Sequence, residues 1–490
     1  MNDITHSILQ RISNMGCTHV WFTGVIRHAT QTDYSQYGIP CQSPEVVKGQ
    51  AGSPYAITDY YDIDPDLAED VRNRMGEWEA LVQRVHCAGL QVVMDFVPNH
   101  VAREYRSVCL PEGASDLSDE NFYLLDGELR IGNYIEYPAK ATGNDVFSCH
   151  PTSTDWYETV KLNYQHRDTW EKMTSILLFW AGKGVDAFRC DMAEMVPSDF
   201  WEYAICKVKA QYPHMDFIAE VYNPSRYREY VGAGFDYLYD KVGMYDCLRD
   251  VICQRRPASD ITWQWQATDD IHEHMLYFLE NHDEQRIASD FFCGDARLAV
   301  PAVIVSLLLQ QNPFMLYMGQ EVGERGMETE GYSGCDGRTT IFDYWTVDSL
   351  RRLNFESLHL TEEEVHLYLT YCQLLTIARQ ERAVNEGLFF DLMYVNRDSP
   401  LFDASRQYAF LRKAGNELLL IVVNFSSQPA RCGVNIPQHA FDYLKLPCLD
   451  APCQAVDLLT EKEASLLLSP TAPVEMDVPA NGGRIYKIVF

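Results

Sequence analysis

The sequence predicts an α/β protein built on a parallel β/α barrel, with an irregular insertion and a C-terminal antiparallel β-sandwich. Two observations predict it. Short apolar segments alternate with amphipathic stretches from about residue 18 to 318, the rhythm of parallel strands joined by right-handed crossovers. Four of these segments also run into polar tips: VVMDFVPNH (92–100), GVDAFRCDM (184–192), DFIAEVY (216–222) and MLYFLENHD (275–283). Buried parallel strands read as nearly continuous apolar runs, and a β/α barrel keeps its reactive side chains where such strands end.

A short amphipathic helix (about 3–15) opens the chain, and the apolar strand THVWFTGV (18–25) follows. A long loop rich in Gly, Pro, Tyr and Asp then leads to DYYDIDPD (59–66). The spacing of EWEALVQRVHCAGL (77–90) is helical, with Gly89 in the usual C-terminal position. Further strands are expected at 92–98, 184–190, 216–221, 235–240, 275–280 and 313–318. One interval breaks the rhythm. From Asp95 to Asp191 is 191 − 95 = 96 residues, whereas Asp191 to Glu220 is 220 − 191 = 29, about one βα unit. The excess places an inserted domain at 101–165, rich in Tyr, Gly, Asp and Asn, over the strand ends of a barrel formed by 1–100 and 166–385. Beyond the helix LYLTYCQLLTIARQER (367–382), the alternating runs QYAFLRK, ELLLIVVNFS and GRIYKIVF predict the β-sandwich at 386–490.

Composition narrows the partners. The chain has 490 residues, 47% of them hydrophobic, and 40 basic against 70 acidic side chains leave a net charge of −30. That charge argues against a nucleic-acid backbone or an anionic membrane and fits a neutral or cationic ligand. The longest apolar stretch, VPAVIVSLLL (300–309), falls short of the roughly 20 residues that span a bilayer and reads as a buried helix. MNDITHSILQRISNMG lacks the basic start and apolar centre of a secretory signal. Fifteen cysteines, an odd number with no CxxC pair, read as reduced thiols of a cytoplasmic protein.

The polar tips supply an acid–base constellation. Arg189 and Asp191 are two apart, so the strand period puts both on one face. The arginine is expected to hold Asp191 ionised, and Glu220, at the neighbouring strand end with less positive charge beside it, to keep a proton for donation. Two carboxyls tuned apart are the nucleophile and acid of a retaining glycosidase. Asp283, beside His282, is a third carboxylate, suited to a sugar hydroxyl or an oxocarbenium-like charge, and Asn99 and His100 add hydrogen-bonding groups. Taken singly, an Arg-x-Asp on a strand is an ion pair and a strand-end glutamate a solvated cap. Four such tips at βα intervals reverse that reading.

At these residues the sequence resembles the α-amylase family of glycoside hydrolases. DFVPNH, GVDAFRCDM, FIAEVY and FLENHD match its four characteristic regions in order, and GSPYAITDYYDIDP (52–65), VKLN (160–163) and GQE (319–321) add weaker agreement. The resemblance implies a (β/α)8-type TIM barrel, with Asp191 as nucleophile, Glu220 as general acid/base and Asp283 as transition-state stabiliser. Arg189, His100 and His282 would surround the sugar, with Tyr55 stacking beneath it. Many members hold a structural calcium through an asparagine matching Asn99 and an aspartate in the short inserted-domain motif. Here Lys161 takes the place of that aspartate, and an ammonium cannot ligate calcium. VKLN instead resembles neopullulanase and cyclomaltodextrinase-type members, in which the lysine reaches toward substrate; no cofactor is then required, and a calcium ion with Asn99 as its ligand stands as the alternative. His272-Glu273-His274 lacks the spacing of a zinc helix and reads as surface.

The resemblance also leaves THVWFTGV looking like a second barrel strand with only 17 residues before it. Either the chain begins downstream of a first strand or another segment closes the barrel. The implied activity is cleavage of α-1,4-glucosidic bonds in starch, glycogen or maltooligosaccharides. Transglycosylation through the same intermediate, and a catalytically impaired barrel protein, stand as alternatives.

Overall fold

The computed structural model describes residues 1–332, 334–355, 359–447 and 451–490. The chain divides into two compact units, Met1–Tyr239 with Thr340–Trp345, and Asp240–Thr339 with Thr346–Phe490. Among the described residues no helix is long and apolar enough to cross a membrane.

In the first unit, helix α1 (His6–Met15) starts at Thr5, whose hydroxyl accepts from the Ile8 amide, and stops at Gly16 in the left-handed region. Strand β1 (His19–Phe22) follows and is shorter than the apolar run suggested. Gly24, at φ 71°, turns the chain, and the remainder becomes β2 (Ile26–His28), which pairs antiparallel with β3 (Ile57–Ile63). Helix α2 (Arg74–Cys87) leads to β4 (Gln91–Phe96). The inserted segment holds β5 (His100–Ala102), the hairpin β6 (Leu129–Ile131) and β7 (Tyr134–Glu136), and β8 (Thr159–Lys161), which pairs back onto β5. Helix α3 (Arg167–Gly182), β9 (Ala187–Cys190), α4 (Ser198–Gln211), β10 (Asp216–Ala219), α5 (Tyr227–Gly232) and β11 (Tyr237–Tyr239) complete the βα rhythm.

Strands β1, β4, β9, β10 and β11 are neighbours in that order and run parallel. Strand β1 is an edge and pairs with β4 alone among the described strands. The register sets Asp95 opposite Arg189, and Arg189 opposite Ile218. All four residues of β9 are buried, as a strand covered on both faces demands.

In the second unit β12 (Met275–Phe278) and β13 (Phe314–Met315) pair in parallel, and every residue of the helix Val300–Leu308 except its first is buried. A six-stranded antiparallel sheet follows, ordered β14 (Leu388–Asp391), β15 (Gln407–Ala414), β16 (Glu417–Asn424), β21 (Gly482–Val489), β18 (Cys453–Asp457) and β19 (Lys462–Leu466); β17 (Ala430–Val434) and β20 (Val474–Val478) form a separate pair. The expected inside–outside alternation is absent from the middle of this sheet. All eight residues of β15 are buried, and Arg412 within it is satisfied by the carbonyls of Leu309, Ala383, Val384 and Gly387, so packed chain covers both faces.

Candidate active site

Arg189 organises the site. Its Nη1 donates to Asp191 Oδ1 at 2.7 Å and to Asp95 Oδ1 at 3.3 Å, and its Nη2 lies 2.9 Å from Glu220 Oε2, an ion pair without hydrogen-bond alignment. Backbone registry places these groups. The Asp191 amide donates to the Phe96 carbonyl and the Glu220 amide to the Cys190 carbonyl, so each acid is the first residue past its strand while still held by the ladder. Met192 then adopts a left-handed conformation (φ 45°, ψ 41°), which costs a side-chain-bearing residue about 1 kcal/mol or more. Its amide donates to Glu220 Oε2 at 2.8 Å, so the strained turn links the backbone beside one acid to the carboxylate of the other.

The three carboxylates are 3–5% exposed and share one guanidinium. Burial pushes Asp95 up to about 7 against the pull of Arg189. Burial also pushes Asp191 well above the usual carboxylate range, with Arg189 opposing it and Glu220 and Asp95 adding repulsion. This corrects two expectations: Arg189 does not by itself hold Asp191 ionised, because burial and the neighbouring acids outweigh it, and Glu220 is not left with the weaker positive field, because the guanidinium spans both strand ends and touches both acids. Asp191 Oδ2 is buried without a hydrogen-bond partner among the described residues. An oxygen so placed is poorly solvated, and in the ionised form of Asp191 its lone pairs are open to an incoming electrophile.

Of the other residues singled out from the sequence, Tyr55 sets its ring 5.5 Å from the Arg189 guanidinium. His100 is buried, its Nδ1 3.0 Å from Asn99 Nδ2, and burial followed by the nearby Lys161 charge lowers it to about 3, so its ring is neutral. Asn99 is fully buried and its Nδ2 donates to the Gly143 carbonyl. Lys161 is 7% exposed, and its ammonium is engaged by protein oxygens, donating to Asn99 Oδ1 at 2.6 Å. The oxygen with which Asn99 would ligate a metal therefore faces a cation already, and the residues present do not fit a calcium ion there.

His282 and Asp283 lie in the second unit, just past β12. His282 Nε2 is 3.1 Å from Asp283 Oδ2, and Asn281 Oδ1 accepts from the amides of Asp283 and Glu284, fixing the turn. His272 lies in a short 3-10 segment with Nδ1 2.7 Å from the Asp269 carbonyl. A group of two buried aspartates, Asp59 and Asp62, and the half-buried Cys109 has metal-like spacing, but Arg27 and Arg74 neutralise it and the Val108 and Cys109 amides fill Asp59 Oδ2. It is an ion cluster that pins the start of the insertion.

Sequence reasoning missed five side chains. Trp21 Nε1 donates to Asp95 Oδ2 at 3.0 Å, and the rings of Trp21 and Tyr239 stand 5.5 and 5.6 Å from the Arg189 guanidinium, caging it together with Tyr55. Asp95 itself served only to measure spacing, although its place in β4 mirrors that of Arg189 in β9. Tyr222, two residues beyond Glu220, donates its hydroxyl to Glu220 Oε1 at 2.7 Å. In the second unit Tyr332, beyond the reach of any local pattern, bonds the His282 carbonyl and lies 3.3 Å from Asp283 Oδ1.

A parallel βα sheet with carboxyls gathered at its strand ends defines a class of α/β enzymes, and comparison narrows it. The profile of the family described as "Alpha amylase, catalytic domain" matches residues 2–230. Alpha-amylase 3 of Dictyoglomus thermophilum is 24% identical over 358 residues, covering 68% of this chain and 68% of that protein. Alpha-amylase MalA of Haloarcula japonica is 23% identical, covering 87% and 52%, and a cyclomaltodextrinase of Geobacillus thermopakistaniensis is 22% identical, covering 79% and 59%. The chain thus spans from about half to two thirds of the length of these curated relatives. Among solved structures, maltogenic alpha-amylase AmyB from Thermotoga neapolitana aligns with a TM-score of 0.68 at 21% identity, covering 99% of this chain and 93% of that one. A cyclomaltodextrinase aligns at 0.70 with 20% identity, covering 99% and 70%. Residues 2–230 thus match the catalytic domain of the α-amylase family of enzymes.

Proposed function

We propose that this chain is a retaining glycoside hydrolase that cleaves α-1,4-glucosidic bonds in starch, glycogen or maltooligosaccharides, on the (β/α)8-type barrel of its family. The carrying observation is the single guanidinium that binds Asp191 and Glu220 at 2.7 and 2.9 Å while Asp191 Oδ2 remains unpartnered. Sharing one guanidinium limits how far apart the carboxyls stand, which favours the short separation of about 5 Å used by retaining enzymes over the wider inverting one.

In the first step Asp191 Oδ2 attacks the anomeric carbon as the glycosidic C–O bond breaks, and Glu220 gives its proton to the departing oxygen. In the second, Glu220 takes a proton from water, which displaces Asp191 and restores both acids. Asp283 is assigned the stabilising of positive charge on the ring from its FLENHD motif, with His282 beside it. Tyr55 offers an aromatic face and His100 a neutral imidazole, both suited to an uncharged sugar. The fourteen described cysteines are all free thiols, which supports a cytoplasmic setting.

The test is D191N. The variant should fold as the wild type does and release less than about a thousandth of the wild-type reducing sugar from soluble starch; equal release by the two proteins overturns the reading. Products longer than the starting maltooligosaccharide would show that a sugar hydroxyl, not water, takes the glycosyl group.

A further inference from the structure

Lys161 ends β8, opposite His100 in β5, and points into protein rather than into solvent. Three oxygens surround its Nζ: Asn99 Oδ1 at 2.6 Å, Asp145 Oδ1 at 2.8 Å and the Met195 carbonyl at 3.4 Å. They come from three separate segments. Asn99 follows β4, Asp145 sits on a tight turn of the insertion, and Met195, four residues after Asp191, closes a short 3-10 helix.

The turn is built to deliver its carboxylate. Asp145 stands at φ 64°, a left-handed conformation that aspartate tolerates better than most residues but still at a cost, and its amide donates back to the Thr142 carbonyl. Burial lowers the Lys161 ammonium, and Asp145 acts against that effect. An amide oxygen, a carboxylate oxygen and a backbone carbonyl are what a hard cation selects. Here the group they converge on is tethered to the chain.

We propose that Lys161 is the resident cation of this site, clamping the inserted segment to the loop behind Asp191, and that no divalent ion occupies it in the native protein. The ammonium supplies the positive charge, and β8 supplies the position, so the clamp is present whenever the chain is folded. The proposal is independent of the hydrolase reading, because its readout is stability.

Thermal unfolding of the full chain, with excess chelator or with millimolar calcium chloride, tests it. The wild-type midpoint should be the same in both. K161M, which keeps the length and loses the charge, should melt at least about 3 °C lower and remain indifferent to calcium. K161D places a second carboxylate among the same oxygens. It should be destabilised in chelator and regain stability in calcium, a response that a merely space-filling lysine would not produce. A wild-type midpoint that falls on chelation, a K161M as stable as the wild type, or a K161D that gains nothing from calcium overturns the proposal.

Discussion

Arg189 does at one residue what no lysine could, because a planar guanidinium presents two Nη groups to two strand ends at once. Its neighbours separate what was legible from what was not. Arg189, Asp191 and Glu220 could be found because strand periodicity and strand ends are local signals. Trp21, Asp95 and Tyr239 could not, since their contacts with Arg189 span 168, 94 and 50 residues and depend on strand order. Tyr222 lay next to the motif, but only the structure shows its hydroxyl on Glu220 Oε1. That contact predicts an effect confined to proton donation. Y222F should lower kcat/KM on maltooligosaccharides by about ten- to a hundredfold, the worth of one hydrogen bond to a charged group. With α-maltosyl fluoride, whose leaving group needs no proton, the variant should stay within about twofold. An equal loss on both substrates would remove Tyr222 from the acid step.

At the scale of elements, the strands and helices with strong periodicity emerge close to where the sequence puts them, as α2 and β9 show, while connections carry the surprises. The run 18–25 is broken because Gly24 turns the chain, and the insertion, unreadable by period, is made of short ladders whose pairing is long-range. The β2–β3 connection, which presents Tyr55, is fixed in the same non-periodic way. The Gln31 side chain donates to the Gly49 carbonyl, and the Ala51 amide donates to the Phe342 carbonyl. Gly52 stands at φ 81°, and a methyl group there would lie 1.6 Å from the Ala29 carbonyl oxygen, a rigid backbone atom. G52A must therefore move the loop. We expect a loss of at least about 2 kcal/mol in unfolding free energy and a raised KM with kcat less affected, as the Tyr55 platform shifts. Unchanged stability and KM would show that the loop is not held by this approach.

At the scale of the whole molecule, the excess of acid sets how stability responds to pH. The net charge of −30 opposes compaction near neutrality, and buried carboxyls add to the effect. Burial lifts Asp95 in the first unit and Glu280 in the second to about 7 each. A carboxyl with a higher pKa folded than unfolded stabilises the fold while protonated. Its share is complete below the unfolded value near 4 and is lost as pH rises through about 7. His100, lowered to about 3, works in the opposite sense: its share is present above about 6.5 and fades as pH falls. D95N isolates one contribution, because asparagine resembles the protonated acid and does not titrate. Relative to the wild type, D95N should gain about 2.6 kcal/mol of stability between pH 5 and pH 8, from about 1.4 kcal/mol per unit of pKa difference. Denaturant unfolding of both proteins at four pH values across that window measures it. A difference between them that does not change with pH would mean that Asp95 is already ionised in the fold at pH 5, with Arg189 outweighing its burial.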